Sequence, residues 1–548
     1  MFTSGMVETQ NSPLSTAEII VDGDSLTIQD FIRVVRCYET VSIASESKKK
    51  MGASRALLEE WVKDEKVIYG ITTGFGPMVS TLIPTKYQTE LQQNLIRSHS
   101  ANVGPIFSIE ETRAAMLLRL NAFAKGYSAV RLETAELLQN MINQGIHPRI
   151  SEWGSVGASG DLTPSAHIAL SLMGEGEVEY KGAVIPSADA LKKAGLTPVR
   201  FMAKEGLALI NGTTMMTGVA AIQVYDAWNL VKSAEIISAL SLEVLLASTE
   251  PFMKEVHQLK PHPGQIITAA NLLKFLKGSK LVMDKEALDK VRHELEQRMK
   301  SEGEVFDSGV QVQNVYSMRA TPQILGAVRD ALDYITARII TEMNSSNDNP
   351  LFFPELGVAN QGANFHGQSV ALPMDVLSIS LTEIGVLSER RLNKMLDKDR
   401  SGGLPPFLAR SGKSGLQCAF EGAQYIPTSL VAECRTLCNP ASVQSIPSNG
   451  ENQDVVSMGL VAARKARDIK ERIEYILTVE LLAACEAVEV RGAEKLGSVS
   501  KMVYNSVRAQ VPAYDTDRPM TKDFEQIKKS LHEGVVVQVA EKIVGTIQ

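Results

Sequence analysis

The amino-acid sequence predicts a mainly α fold, an elongated bundle of long helices with a smaller, loop-rich N-terminal domain. Two long segments support this prediction. Residues 213–248 are apolar on most sides, which is typical of a helix that is buried on most sides. Residues 460–491 contain neither glycine nor proline, and a helix of roughly thirty residues is unusually long for a globular protein. Long helices that lie side by side indicate a bundle.

Earlier in the chain, local signals mark shorter elements. Residues 108–126 begin with Ser108, and Glu111 follows three positions later, so this pair predicts an N-terminal capping box in a helix that Gly126 ends. Residues 131–145 repeat this design and end at Gly145. Strand signals are few and short, as in VEYKGAVIPS, residues 178–187. The absence of a repeat of fixed period argues against a solenoid scaffold.

These signals divide the chain into three parts. Residues 1–18 are expected to form a flexible leader, residues 19–215 the N-terminal domain, and residues 216–548 the central and C-terminal helical bundle. The leader has no positive start followed by an apolar core, so it is not expected to be a secretory signal. No apolar run is expected to span a bilayer. We therefore expect a cytoplasmic protein.

The composition and net charge argue against two classes of binding partner. Of the 548 residues, 44% are hydrophobic and 22% are charged, which is ordinary for a globular protein. The formal net charge of -7 argues against binding to nucleic acid or to a membrane surface. Neither kind of partner is therefore expected.

The cysteines give no indication of a metal site. There are five, an odd and scattered set that suits reduced thiols in a cytosol. Cys434 and Cys438 are spaced to share a helix face, but no histidine or second cysteine pair stands near them at a zinc spacing. We therefore expect no metal.

The segment GSVGASGDLTPSAH, residues 154–167, is the most informative of several Gly-, Asn- and Ser-rich stretches between helices. Taken alone, it is typical of a turn. The alternative is internal cyclisation, in which the amide nitrogen of Gly160 attacks the carbonyl of Ala158 and Ser159 becomes a dehydroalanine-type methylene. Gly160 leaves its nitrogen unhindered, Ala158 is small, Ser159 supplies the leaving hydroxyl, and Asp161 is placed to move protons.

With its other motifs, the chain resembles the aromatic amino acid lyase family over residues 67–511. The motifs are VIYGITTGFG, GASGD, LINGT, YSMR, SSNDNP, NFHGQ, GAQY and SNGENQD, in family order. Members include ammonia-lyases for histidine, phenylalanine and tyrosine, and 2,3-aminomutases. The resemblance implies 4-methylideneimidazole-5-one (MIO), formed from Ala158, Ser159 and Gly160, and a homotetramer whose active sites combine loops from different subunits.

The resemblance also implies roles for individual residues. Tyr69 matches the tyrosine that removes the β-proton, and Arg319 is the expected partner of the substrate carboxylate. The remaining matches border the cofactor or the substrate; they are Asn211, Tyr316, Asn347, Phe365, Tyr425, Asn449, Asn452 and Gln453. Purely structural alternatives remain open. They are core packing for Tyr69, a surface ion pair for Arg319, and an exposed asparagine-rich turn for the cluster Asn449, Asn452 and Gln453.

Two positions indicate the substrate. Ser98 and His99 fall at the selectivity pair of the family, where a polar histidine suits a phenol. Histidine ammonia-lyases share Ser-His there, but they have Glu where this chain has Gln453, and a structurally satisfied His99 also remains open. The strings LIRSHSA, GVLSERRLN and SIPSNGENQDVVSMG most resemble bacterial tyrosine 2,3-aminomutases, although Gln311 replaces their usual Tyr. The resemblance thus favours conversion of L-tyrosine to β-tyrosine through a coumarate-like intermediate.

Several alternatives remain at this stage. They are a tyrosine or phenylalanine ammonia-lyase, a histidine ammonia-lyase, an enzyme of the fumarase and argininosuccinate lyase superfamily, and a non-enzymatic helical scaffold. The GSxxMPxKxNP loop of the fumarase superfamily is absent from the sequence, which argues against that class. The non-enzymatic scaffold predicts full function after Ser159→Ala.

Overall fold

Long helices form the centre of the fold in a computed structural model that describes residues 18–410, 412 and 414–548. The α-helices in chain order are α1 (Ile28–Cys37), α2 (Ser45–Lys63), α3 (Gln88–His99), α4 (Ile109–Ala124), α5 (Leu132–Gln144), α6 (Leu162–Leu172), α7 (Ser187–Lys193), α8 (Glu205–Ile210), α9 (Thr214–Val244), α10 (Lys254–Gln258), α11 (Pro263–Phe275), α12 (Lys285–Glu302), α13 (Tyr316–Arg319), α14 (Thr321–Met343), α15 (Gln368–Leu396), α16 (Glu421–Leu437), α17 (Gly459–Arg491), α18 (Ser498–Arg508), α19 (Thr521–His532) and α20 (Val535–Val544). The mainly α prediction is confirmed.

Short strands make up four small sheets. They are β1 (Ile19–Val21), β2 (Val41–Ile43), β3 (Val103–Ile106), β4 (Ile146–Pro148), β5 (Ser151–Trp153), β6 (Glu177–Tyr180), β7 (Ala183–Pro186), β8 (Leu351–Phe353) and β9 (Val358–Asn360). Strands β1 and β2 pair in parallel. The antiparallel pairs are β3 with β5, β4 with β6, β6 with β7, and β8 with β9. The hairpin of β6 and β7 confirms the strand signal in residues 178–187.

The local helix signals are also confirmed. Ser108 caps α4 by accepting from the Glu111 amide, and the Glu111 side chain accepts from the Ser108 amide in return. Helix α5 ends at Gly145 in the left-handed conformation. Helix α9 is buried along almost its whole length, and α17 has 33 residues. Capping chemistry therefore accounts for the start of α4 and the end of α5, and apolar composition accounts for the burial of α9.

The bundle is built around α9, α14, α15 and α17. Helix α17 packs against α9, α15 and α16, while α14 packs against α9, α11 and α15. A buried ion pair joins Arg391 Nε to Glu480 Oε1 at 2.6 Å, and Ser241 Oγ donates to the same oxygen at 2.7 Å. These contacts link α15, α17 and α9, and removal of one charged partner of such a pair typically costs about 3–5 kcal/mol.

Helix α15 corrects one expectation from the sequence. By length and composition it passes as a membrane span, with a mean hydropathy of 1.6 over its most apolar window, contrary to the expectation that no run reaches this length. However, 72% of that window is buried inside the protein. Its apolarity therefore serves the packing against α14 and α17.

The predicted domain boundaries remain predictions. Of the expected leader, residues 1–17 lie outside the described residues. The boundary after residue 215 falls in the first turn of α9, and one apolar cluster extends from Ile19 to Ile547 across both expected domains. Strands β1–β7 all lie before residue 187, so the described N-terminal part is the one richer in strands.

Candidate active site

A cavity of about 530 Å³ brings together residues from loops that are far apart in the sequence. Nine of the predicted site residues line it: Tyr69, His99, Ala158, Ser159, Asn211, Phe365, Asn449, Asn452 and Gln453. Gly160 adjoins the cavity as the residue that follows Ser159. The ends of helices α3 and α8 and the loop before α6 all contribute to the walls.

Two later loops hold the segment that contains Ala158. The amide of Gly367 and the hydroxyl of Ser457 both donate to the carbonyl oxygen of Gly157, each at 2.9 Å. The amide of Met458 donates to the carbonyl oxygen of Val156 at 2.9 Å. The position of the tripeptide is thus fixed by residues that lie 200 to 300 positions further along the chain.

Hydrogen-bond donors converge on Ser159. Asn211 Nδ2 donates to its carbonyl oxygen at 3.0 Å, and the amide of Gly212 donates to the same oxygen at 3.2 Å. Gln453 Nε2 donates to its hydroxyl oxygen at 3.1 Å. Both oxygens of one residue are therefore held by groups from separate loops, which defines the orientation of that residue.

Gly160 sits against the backbone of Gly212. Its φ is +71°, and a Cβ built on it would lie 2.1 Å from the carbonyl oxygen of Gly212. The next amide, that of Asp161, donates to this carbonyl at 2.7 Å. Only glycine fits this close approach, because any side chain would meet backbone atoms.

Asp161 lies buried behind the tripeptide. Ser155 Oγ donates to its Oδ1 at 2.8 Å, and the amide of Met216 donates to its Oδ2 at 2.7 Å. Burial raises the pKa of Asp161 to about 6, although these donors and the charge of Arg119 act in the opposite direction. A carboxyl group with such a pKa can hold or release a proton near neutral pH.

Tyr69 and His99 present polar atoms on other walls of the cavity. The amide of Gly76 donates to the Tyr69 hydroxyl at 3.2 Å. His99 Nδ1 lies 2.9 Å from the carbonyl oxygen of Leu95, which can only accept, so Nδ1 carries the proton. Burial lowers the pKa of His99, so the ring is neutral at pH 7 and Nε2 remains as its acceptor.

The other predicted residues lie outside this cavity within the same chain. Tyr316 and Tyr425 are 70% and 64% exposed, and the Arg319 guanidinium lies 4.4 Å from the centre of the Tyr316 ring. Asn347 is buried behind Gly212 and donates to Thr213 Oγ1 at 2.9 Å. Ser98 Oγ donates to the carbonyl of Leu95 at 3.0 Å and does not line the cavity.

A family model described as aromatic amino acid lyase matches residues 26–509. The chain belongs to the aromatic amino acid lyase family. Its place in this family makes the chain an enzyme of the ammonia-lyase and aminomutase type, and the fumarase-like and non-enzymatic alternatives fall away.

Individual members of the aromatic amino acid lyase family match over nearly their whole length. A tyrosine ammonia-lyase from Cupriavidus metallidurans is 46% identical, covering 95% of this chain and 97% of that protein. An MIO-dependent tyrosine 2,3-aminomutase from Streptomyces globisporus is 45% identical, covering 96% of both. The crystal structure of a tyrosine aminomutase from Streptomyces globisporus matches with a TM-score of 0.92 and 44% identity, covering 96% of this chain and 99% of that one.

The residues present fit the MIO group that this family implies. Ala158 is small and buried, and Gly160 holds a positive φ where a side chain would not fit. The carbonyl oxygen of Ser159, which would become the ring oxygen, already receives two N–H donors. Among the described residues no cluster of three or more histidine, cysteine, aspartate or glutamate side chains is arranged to hold a metal ion.

Sequence reasoning missed part of the cavity wall. The residues missed are Phe75, Gly76, Val79, Leu95, Leu162, Leu207, Ile210, Asn349, Gln361, Gly362, His366, Asp454 and Val455. Phe75, His366 and Asp454 stand inside the motifs TTGFG, NFHGQ and ENQD, so proximity to a matched residue was the available signal. Ile210 in LINGT and Leu95 in LIRSHSA carry the same signal, whereas Leu207 lies outside the motifs and resembles a core residue of an amphipathic helix.

Proposed function

We propose that the protein is an MIO-dependent tyrosine 2,3-aminomutase, which converts L-tyrosine to β-tyrosine through a coumarate-like intermediate. The observation that carries this proposal is the set of donors on Ser159 in a cavity that also contains Tyr69 and His99. The similarity to a tyrosine ammonia-lyase and to a tyrosine 2,3-aminomutase supports tyrosine as the substrate.

The cofactor would form from the chain itself with the loss of two waters. A bond forms between the nitrogen of Gly160 and the carbonyl carbon of Ala158, whose oxygen leaves with the amide hydrogens of Ser159 and Gly160. The Ser159 hydroxyl then leaves with the α-hydrogen of the same residue. Asp161, with its pKa of about 6, is placed to accept and return protons during these steps.

The MIO ring supplies a methylene group that accepts the electron pair of the substrate amine, with charge delocalised onto the Ser159 carbonyl oxygen. Asn211 Nδ2 and the Gly212 amide stabilise charge on that oxygen, because both already donate to it. Tyr69 removes the β-proton as a phenolate, which the Gly76 amide stabilises by donating to its oxygen, and the transfer leaves Tyr69 as the neutral phenol.

His99 gives the cavity its preference for a phenol. Its Nε2 is free to accept the hydroxyl proton of tyrosine, since Nδ1 is occupied by the Leu95 carbonyl. Phenylalanine bound in the cavity would shield this acceptor from water without giving it a partner, which typically costs about 1–3 kcal/mol. Gln453 beside Ser159, where histidine ammonia-lyases have Glu, argues against histidine as the main substrate.

We also propose a cytoplasmic homotetramer in which Tyr316, Arg319 and Tyr425 complete the cavity of a neighbouring subunit. The exposure of both tyrosines supports this arrangement, and so does their separation from the cavity of their own chain. The free state of all five cysteines supports a reducing compartment. In this arrangement Arg319 binds the substrate carboxylate through its guanidinium fork.

Subunit mixing tests the shared site. Tyr69→Phe and Arg319→Met chains are expected to be inactive alone and to regain activity when co-expressed, because some cavities then receive an intact residue from each chain. Mixed tetramers isolated by two affinity tags that remain inactive would contradict the shared arrangement.

Mass spectrometry tests the cofactor. The peptide that contains Ala158 and Gly160 is expected to be lighter by two waters, about 36 Da. Ser159→Ala serves as the control, since it lacks the leaving hydroxyl. A wild-type peptide of full mass would refute the cofactor assignment.

Product analysis decides between the mutase and a second candidate, an ammonia-lyase. The 46% identity to a tyrosine ammonia-lyase favours this alternative as a specific observation. With L-tyrosine, β-tyrosine as the main product supports the mutase, whereas coumarate alone overturns it in favour of the lyase. Parallel incubations with L-phenylalanine and L-histidine check the substrate, and urocanate would contradict the interpretation of Gln453.

A further inference from the structure

A buried arginine lies beneath the donors that hold Ser159. Arg119, in helix α4, is 1% exposed. Its Nη1 donates to the carbonyl oxygen of Asn211 at 2.9 Å and to that of Ala208 at 3.0 Å. Its Nη2 donates to Thr214 Oγ1 at 3.3 Å. One guanidinium thus joins the end of α8, the turn at Asn211 and the start of α9.

This arginine differs from the buried arginines of the bundle. Arg329 and Arg391 form ion pairs with Glu235 and Glu480, each at 2.6 Å. In the described part of the chain no carboxylate pairs with Arg119, because the nearby Asp348 is paired with Lys204 at 2.5 Å. Burial lowers the pKa of Arg119 to about 10, so it stays charged at neutral pH. Its charge is directed at backbone carbonyls instead.

The turn that Arg119 holds carries both donors to the Ser159 carbonyl oxygen. Asn211 contributes its side-chain nitrogen to this oxygen, and Gly212 contributes its amide. Arg119 contacts the carbonyls at residues 208 and 211 through Nη1 and Thr214 Oγ1 through Nη2, and a lysine ammonium, with one nitrogen, lacks this planar two-nitrogen geometry. Displacement of this turn would misalign both donors at once.

We propose that Arg119 is a positioning residue for the electrophile: through the backbone of Asn211 it holds the two donors on the Ser159 carbonyl oxygen and adds positive charge behind them. This inference rests on the proposed function, because it concerns the oxygen that becomes part of the MIO ring. Arg119 itself does not line the cavity, so it acts on the substrate through Asn211 and Gly212.

Arg113 provides a matched control. It lies on the same helix, is also 1% exposed, and burial likewise lowers its pKa to about 10. It donates to backbone carbonyls as well, at Val34 and Ile142, away from the cavity. Substitution of Arg113 therefore also removes a buried arginine from helix α4, but it leaves the donors to Ser159 in place.

The test compares Arg119→Gln and Arg119→Lys with the same substitutions of Arg113. The measurements are the ring-bearing fraction by peptide mass, the rate at which cyanide traps ring-bearing chains, and kcat and KM for tyrosine. We expect Arg119→Gln to slow trapping about 10- to 100-fold, with a parallel fall in kcat and little change in KM. Arg119→Lys is expected to be intermediate, because charge returns without the fork.

Trapping at the wild-type rate in ring-bearing Arg119→Gln chains would overturn the inference, and so would an equal loss in the Arg113 variants. If the Arg119 variants do not fold, Thr214→Val decides: removal of one acceptor is expected to slow trapping about threefold, and an unchanged rate overturns the inference. A wild-type chain without the ring would instead refute the proposed function, so the two failures are distinguishable.

Discussion

Substitution of Gly160 by alanine should abolish formation of the cofactor. A Cβ at this position would lie 2.1 Å from the Gly212 carbonyl oxygen, whereas real contacts stay beyond 3.0 Å, so the backbone must move by about 0.9 Å. This shift breaks the contacts of Asp161 with Gly212 and of Gly212 with Ser159, each worth about 1 kcal/mol. With about 1–2 kcal/mol for the positive φ, the total is about 3–4 kcal/mol. A misplacement near 1 Å can lower a rate about 100-fold.

Gly195 is the matched control for this prediction. Its φ is also +71°, but among the described atoms nothing lies within 4 Å of the Cβ that alanine would add. Gly195→Ala should therefore lose only about 1–2 kcal/mol of stability and keep the ring. Denaturant unfolding, the mass of the Gly160 peptide and tyrosine turnover compare the two variants. If Gly160→Ala carried the ring and turned over tyrosine within threefold of Gly195→Ala, the steric reasoning would be wrong.

Three further predictions concern the cavity. His99→Phe should raise the ratio of kcat/KM for phenylalanine to that for tyrosine about 10- to 100-fold, because the phenol loses its acceptor; an unchanged ratio would remove His99 from this role. Gln453→Glu should raise the relative use of histidine, since histidine ammonia-lyases have Glu at this position, and should lower the ring-bearing fraction, since a carboxylate cannot donate to Ser159 Oγ before that hydroxyl leaves. Unaltered kinetics with both amino acids and an unaltered ring-bearing fraction would contradict this. For Asp161, the folded pKa of about 6 exceeds the ordinary value of 3.8, so the folded state binds this proton more tightly. The free energy of unfolding of the wild type relative to Asp161→Asn should therefore fall by on the order of 3 kcal/mol as pH rises from about 4 to about 6. If the denaturant midpoints of the two proteins change in parallel across this range, the prediction is contradicted.

Features set by local chemistry were predictable from the sequence. The Ser108 capping box, the Gly145 helix end and the burial of α9 follow from neighbouring residues and periodicity. The length of the apolar run in helix α15 and its burial were not predicted, because that burial depends on packing against other helices. Pattern alone does not distinguish a buried helix from a membrane span of similar composition.

The site was predictable in its motifs and not in its surroundings. The stretches rich in glycine and asparagine between helices indicated the positions of Ser159 and Gln453, because functional residues often lie in loops on a rigid frame. Arg119 was not predicted as a residue of the site, because an arginine at a polar position of a helix normally faces solvent. The distance of Arg319 from the cavity of its own chain was also not predictable, because a sequence motif does not show whether its residues face the cavity of the same chain.

The hydrogen bond from Ser457 to the carbonyl of Gly157 spans 300 positions of the chain. While the protein is being synthesised, residues 158–160 emerge long before the groups that hold them in place. If the proposed MIO group forms, we therefore expect its methylene to arise only after these contacts close, and not on the nascent chain, where it would be open to attack by cellular thiols and amines. Formation of these long-range contacts would then set the order of events, with the electrophile forming only after the surrounding loops have folded around it.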